Sequence, residues 1–440
     1  MRAVVLFTRD LRVHDNPAYA AAMEHCSEVV PLFVLDEALL GSANRTAFLL
    51  EALADLRASL GGALVVRRGD VVSEVLRLRP DAVFIAADSS AYARRRERRL
   101  RERFALTVVP GAAIVPPGEL HPAGGDHYRV FTPYWNAWAG TRLRAMAPVP
   151  PAIRLPAGVE PGLLPAFAEF GLAVPSPGLP RGGEIAGRLR LARFVETGIA
   201  AYADTRDNFS AGSTSELSPY LHFGCVSAVE LAHRVSGRPG AEPFLRQLCW
   251  RDFYLQLLAA RPDLSHADYR PRGDAWHEDP EAFAAWRDGR TGYPIVDAAM
   301  RQLRREGWMP GRARLLAASF LVKDLRVDWR LGAAHFADLL VDGDVASNAG
   351  NWQWVAGTGT DTRPNRIFNP VRQAMRFDRA GEYVRRYVPE LASLLPGVIH
   401  QPWVLGQETL EQLGYPVPLV DHREAGAAFV ASRRFHAARA

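Results

Sequence analysis

Asp344, Asn348 and Trp352 are spaced i, i+4, i+8. A helix through them sets an acid, an amide and an indole in one stripe. As packing alone such a stripe is costly, because Asp and Asn are rarely buried without partners. It suits contact with a redox-active ring and passage of an electron away from it. Trp354, two residues on, points roughly the other way. Gln247, Trp250 and Arg251 follow the i, i+3, i+4 spacing. Amide, indole and guanidinium on one face suit a stacked, hydrogen-bonded planar ligand, or a helix side that meets a domain edge. The run 212–220 holds the hydroxyls of Ser213, Thr214, Ser215 and Ser218 ahead of a proline-opened helix. Ser218 before Pro219 reads as an N-cap and a first-turn proline. Thr214 and Ser215 offer donors to a phosphate, or plain capping.

The elements that must position these residues divide the chain. Short apolar runs at 4–7, 29–35, 63–66, 82–86 and 106–109 alternate with helical patterns at 45–60, 71–79 and 91–104. This predicts an α/β domain with an open parallel five-stranded sheet, Rossmann-like in its alternation. Its first loop, TRDLRVHDNP, lacks the GxGxxG of dinucleotide binding. Nine of the 32 prolines lie in 148–180 and mark a surface linker. From about 186 onward the pattern is helical. We divide the chain as 1–135, 136–185 (linker) and 186–440.

Composition excludes several classes. The three cysteines are scattered without a CxxC, against a zinc, iron–sulfur or disulfide framework. No metal site is expected. No apolar run spans a membrane and the first residues carry early charges, which predicts a cytoplasmic protein with no membrane partner. GxSxG, HExxH and GxxxxGK are absent. The net charge of +5 is too mild to name a partner, and Lys323 is the only lysine. The arginines of 91–104 read as a solvated outer helix. Residues 287–314, with seven arginines against three acids, are the better DNA face.

Six segments taken together resemble the photolyase/cryptochrome family, most closely its bacterial class I cyclobutane-dimer branch. They are VVLFTRDLRVHDNPA, VFTPYWNAW, STSELSPYLHFG, RQLCWRDFY, the run RTGYPIVDAAMRQLRREGWMPGRARLLAASFLVKDLRVDWR, and DGDVASNAGNWQWVAGTGTDTRPNRIFNP. They span the chain nearly end to end, in family order. The resemblance implies an all-α C-terminal domain that binds FAD, reduced in its active form, and an antenna chromophore, deazaflavin or folate, which no residue set here decides. Arg45 is weighed for a deazaflavin pocket, against a plain surface arginine. The resemblance makes Tyr202, Thr214, Ser215, Leu217 and Ser218 contacts to the flavin phosphates and ribityl chain. Arg314 and Asp342 become the ion pair beside the ring, Gly343 and Asp344 its flanks, and Asn348 the neighbour of N5. Trp352, Trp329 and Trp276 become the electron chain. Arg206, Trp250, Arg251, Arg312, Trp354 and Gln373 become contacts to DNA or the extruded lesion.

Three positions depart from the family's dimer-repair pattern. Gln247 stands where a glutamate is usual, and Gly311 and Leu315 where asparagine and methionine are. Enzymes for the (6-4) lesion carry histidines at the latter two, and with none here the proton donor of that chemistry is missing. The expected function is therefore light-driven repair of cyclobutane pyrimidine dimers in DNA by a monomer. The rival is a flavin photosensor without repair.

Overall fold

The computed structural model describes residues 1–209, 212 and 214–437. Strands β1 (Arg2–Leu6), β2 (Glu28–Leu35), β3 (Val65–Arg68), β4 (Ala82–Ala86) and β5 (Ala105–Val109) form one parallel sheet in the order β3-β2-β1-β4-β5. Val4, Leu6, Val30, Leu32, Val83 and Ile85 pack on one face, and Ala3, Val5, Val29, Phe33 and Phe84 on the other. Burial on both faces explains why β1, β2 and β4 read as unbroken apolar runs, whereas the edge strand β5 is partly exposed.

Helices α1 (Pro17–His25), α2 (Ala43–Ser59), α3 (Val71–Arg77) and α4 (Ala91–Arg101) are each capped by a side chain, from Asn16, Ser42, Asp70 and Ser90 in turn. α1 was not among the expected helices, because its run PAYAAAMEH has no polar face to set a period. β3 lies two residues beyond the expected 63–66. Its charged end, Arg67 and Arg68, runs along the sheet edge, where the linker covers it: Pro161 O accepts from Val66 N at 2.8 Å and Glu160 O from Arg67 at 2.7 Å.

The irregular connection starts after α5 (Phe131–Ala139), not at 136, because buried Tyr134 and Trp138 hold that helix to the core. Beyond it come α6 (Glu184–Arg193), α7 (Tyr202–Thr205), α8 (Ser218–His222), α9 (Ala228–Val235), α10 (Ala241–Ala260), α11 (Pro280–Arg287), α12 (Pro294–Glu306) and α13 (Gly311–Ser319). α14 (Trp329–Leu339), α15 (Val345–Ala356), α16 (Pro370–Phe377), α17 (Glu382–Tyr387), α18 (Gln407–Leu413) and α19 (His422–Ala437) follow. Among the described residues no strand follows β5, no helix is long and apolar enough to cross a membrane, and no side-chain group is placed to hold a metal ion.

A π-helical turn at Phe320–Asp324 ends α13 and buries Lys323 completely. Its ammonium donates to Pro364 O at 2.6 Å and Ala356 O at 3.3 Å and lies 4.2 Å from the centre of the Phe429 ring. Burial pushes its pKa down to about 7.

Candidate functional site

The turn Asp342-Gly343-Asp344 between α14 and α15 is braced by three arginines. Arg314 of α13 donates to Asp342 Oδ2 at 2.8 Å, while Asp342 Oδ1 is buried with no partner in the structure. Arg9, from the loop after β1, donates to Asp344 Oδ2 at 2.6 Å and to His222 O at 3.0 Å. Asp344 Oδ1 caps α15 through Ser347 N at 2.8 Å. Burial alone would raise the Asp344 carboxyl, but the guanidiniums of Arg9 and Arg251 hold it well below the usual range. Burial and Arg9 keep His222 neutral, its pKa far below the ordinary value. Arg45 is not a surface residue: it donates to Ala337 O and Leu340 O, under Gly343. Both bonds come from one nitrogen, Nη1, at the end of α14.

α15 carries the predicted stripe, with Asp344 as its N-cap instead of a helical residue. Asn348 donates to Ala333 O at 2.9 Å. Trp352 is buried against Phe336, ring centres 4.9 Å apart, and its Nε1 has no partner in the structure. Trp329, the first residue of α14, is wholly buried and donates to Asp268 Oδ1 at 2.9 Å. Trp276 is half-buried on the same apolar core, in the irregular segment before α11. Trp352 reaches α14 at Gly332, one turn beyond Trp329, where a Cβ would overlap its ring and come within 2.6 Å of Leu321. Gly332→Ala is expected to displace the indole at a cost of about 1–3 kcal/mol. Thermal melting and tryptophan fluorescence check this, and an unchanged melting temperature refutes it.

The hydroxyl segment is organised differently from the expectation. Ser218 does not cap α8: it is the first helical residue, and its hydroxyl accepts from Trp308 Nε1 at 3.0 Å. Leu217 is wholly buried, backbone and side chain alike. Ser215 Oγ accepts from Leu217 N at 3.4 Å, and Ser213 lies outside the described residues. Tyr202 sits edge-on to Phe194 and Phe244, with the Arg206 guanidinium 6.0 Å from its ring centre.

On α10 the three predicted residues part company. Gln247 is exposed and Trp250 stacks on Phe131 at 3.7 Å. Arg251 turns inward, its two terminal nitrogens donating to Ala112 O at 2.5 Å and Leu221 O at 3.2 Å. Arg312 ion-pairs with Asp207 at 2.8 Å and lies over Phe377, which ties Arg206, α13 and the α16 of Gln373 into one neighbourhood. Gly311 faces open space, Leu315 packs on the core, and Gln373 Oε1 is buried without a partner.

The basic face also moves. Within 287–314, Asp288 gathers Arg287, Arg290 and Arg304, while Arg301, Arg312 and Arg314 each have their own carboxylate. By contrast, Arg363, Arg366, Arg372, Arg376 and Arg379 are exposed, and none meets a carboxylate among the described residues. Arg366 also lies over Trp354, 5.5 Å from its ring centre. Helix α4 is not simply solvated: Arg96 is buried and Arg94 donates to Ala259 O at 2.5 Å. Arg9, His222 and Asp268 escaped the sequence reading. Arg9 lies in a quoted motif, but its partner is 335 residues away and leaves no local signal.

Residues 3–154 match the family described as DNA photolyase, and residues 244–434 the FAD binding domain of DNA photolyase. A deoxyribodipyrimidine photo-lyase of Streptomyces griseus is 52% identical, covering 98% of this chain and 99% of the relative. The crystal structure of a class III photolyase from Agrobacterium tumefaciens superposes with a TM-score of 0.91 at 34% identity, over 99% of this chain and 97% of that one. An archaeal photolyase from Sulfolobus tokodaii, solved with two FAD molecules, gives 0.89 at 30% identity, over 99% of this chain and 100% of that one. Sheet domain, linker and braced acidic turn thus define a two-domain protein with an FAD-binding helical half. The chain belongs to the DNA photolyase family.

Proposed function

We propose that this protein splits cyclobutane pyrimidine dimers in DNA, with light as the energy source. Reduced FAD, when bound, supplies the electron that opens the dimer ring. The observation that carries this reading is Asp342. One of its oxygens is held by Arg314, and the other is buried without a protein partner on a turn braced from three sides. Such an acceptor calls for an N–H donor, which the edge of a flavin ring offers. Arg314 places a cation where a reduced, anionic ring gains from it.

The other assignments follow from what each side chain has left to offer. Thr214 and Ser215 supply hydroxyls to the phosphates and ribityl chain, Leu217 and Ser218 supply backbone groups, and Tyr202 supplies an aromatic wall. Gly343 and Asp344 flank the ring. Asn348, its amide nitrogen committed to Ala333, stands by N5. Trp276, Trp329 and Trp352 pass electrons inward. A dimer must leave the stack to be reached, and Trp354 with Trp250 receives it. Gln247, Gly311 and Leu315 border that pocket and provide no imidazole for (6-4) chemistry. Arg206, Arg312 and Gln373, together with the five arginines of 363–379 that meet no carboxylate among the described residues, grip phosphates without reading sequence. The protein works as a cytoplasmic monomer. A second, light-harvesting chromophore, folate or deazaflavin, belongs to the same proposal, and the native absorption spectrum identifies it.

The test is a repair assay with fully reduced flavin on oligonucleotides carrying either lesion. Dimers should vanish in the light and persist in the dark, with the (6-4) product untouched. Failure on the dimer sinks the repair claim and leaves the photosensor reading, which Gln247, Gly311 and Leu315 favour. Trp276→Phe should slow photoreduction of oxidised flavin severalfold, and an unchanged rate would remove Trp276 from the chain.

A further inference from the structure

Two wholly buried indoles share the apolar core with Trp352, and their surroundings differ in charge. Trp286 is wholly buried with its ring centre 6.2 Å from that of Trp352. Its Nε1 donates to a neutral acceptor, Ala317 O, at 2.9 Å. The nearest titratable ring, His335 at 5.7 Å, is kept neutral by burial and by Arg287, its pKa pushed down to about 4. Asp288, the carboxylate that reaches His335, is itself shared among Arg287, Arg290 and Arg304, and no carboxylate bonds the Trp286 indole among the described residues.

Trp329 stands differently. As the first residue of an 11-residue helix it meets the positive end of the helix dipole, and the Arg330 guanidinium lies 4.7 Å from its ring centre. Both disfavour a positive ring. Two carboxylates oppose them: Asp328, which caps the helix and pairs with Arg330 at 3.0 Å, and Asp268. Asp268 Oδ1 accepts from Trp329 Nε1 at 2.9 Å and from Arg330 Nη2 at 2.9 Å. Asp268 thus acts on the indole N–H, the group that becomes strongly acidic when the ring is oxidised.

We propose that Asp268 is a positioning residue for electron transfer: its carboxylate, bonded to the Trp329 indole, makes Trp329 and not Trp286 the donor that re-reduces Trp352. The proposal rests on the flavin reading above. Trp352 loses one electron to light-excited oxidised flavin. Trp329 then gives one electron to Trp352, which returns to neutrality, and Trp329 is left as a radical cation. Its N–H proton stays on nitrogen, drawn toward Asp268. Trp276, and finally an external thiol reductant, restore the electron.

Asp268→Asn in the full-length holoenzyme keeps the shape and an acceptor but removes the charge. Photoreduction is expected to slow about tenfold, with a Trp329 radical that decays faster in transient absorption. In the dark, one indole N–H resonance should shift in the ¹⁵N-labelled protein. Asp268→Glu should restore most of the rate, whereas Trp286→Phe should photoreduce like the parent. Photoreduction of Asp268→Asn at the parental rate, with Trp329→Phe slow, overturns the role of Asp268 alone. A parental rate in Trp329→Phe instead overturns the indole chain on which the proposal rests. An Asp268→Asn protein that is slow only because flavin is lost is told apart by its flavin content, and rescue by Asp268→Glu then fails as well.

Discussion

Arg314→Leu is expected to emerge from purification without flavin and with a markedly lower melting temperature. The Asp342 side chain is 3% exposed, and Arg314 is its only ion-pair partner among the described residues. Removing one member of a buried pair leaves a charge in a poor solvent, at a cost of about 3–5 kcal/mol. Arg314 also donates to Met309 O at 2.9 Å, so the start of α13 loosens with it. The double variant Arg314→Leu/Asp342→Asn removes the stranded charge and should regain much of the stability, yet still lack flavin, because the cation is gone. Absorbance of the cofactor released on denaturation, read beside thermal melting, checks both parts. Full flavin occupancy in Arg314→Leu would show that the pair is structural only.

The second large effect is expected at the other end of the helical domain. Arg433 of α19 donates to Asp274 at 2.6 and 2.8 Å, to Ala356 O at 2.7 Å and to Pro364 O at 3.1 Å, with both partners of the ion pair 6% exposed. One guanidinium therefore joins the last helix to the segment of Trp276, to the end of α15, and to the loop that carries Arg363 and Arg366. Arg433→Leu should cost about 3–5 kcal/mol for the stranded Asp274, with two carbonyls left to Lys323 or unpaired. Arg433→Lys keeps the charge but not the fork, and should fall between leucine and the parent. Melting and limited proteolysis near residue 420 are the measurements. A leucine variant that melts with the parent contradicts this account.

What sequence could reveal follows from the range of each interaction. The central strands β1, β2 and β4 were legible because burial on both faces writes an unbroken apolar run into a few consecutive residues. The stripe Asp344-Asn348-Trp352 was legible because helical spacing is local. Arg9 with Asp344 was not, since a contact between distant segments has no period. Arg251 shows the same limit from the other side: its place on α10 was right, but the carbonyls of Ala112 and Leu221 that turn it inward come from elsewhere in the chain. The arginines of 287–314 were counted as free charge because a sum over sequence cannot see Asp288 collecting three of them. The set at 363–379 stood in the same sequence, and only its lack of carboxylate partners among the described residues sets it apart. Ser218 looked like a cap by type and position until Trp308 claimed its hydroxyl.

The burial of Lys323 has a consequence for handling the folded protein. It is the only lysine in the chain, and its amine is fully enclosed, bound to two carbonyls and an aromatic ring. Reagents that attack lysine amines, such as succinimidyl esters and amine crosslinkers, therefore find no side-chain target on the native surface. Modification at residue 323 would mark molecules that have opened around α13 and α19, so the extent of labelling becomes a clock for that opening.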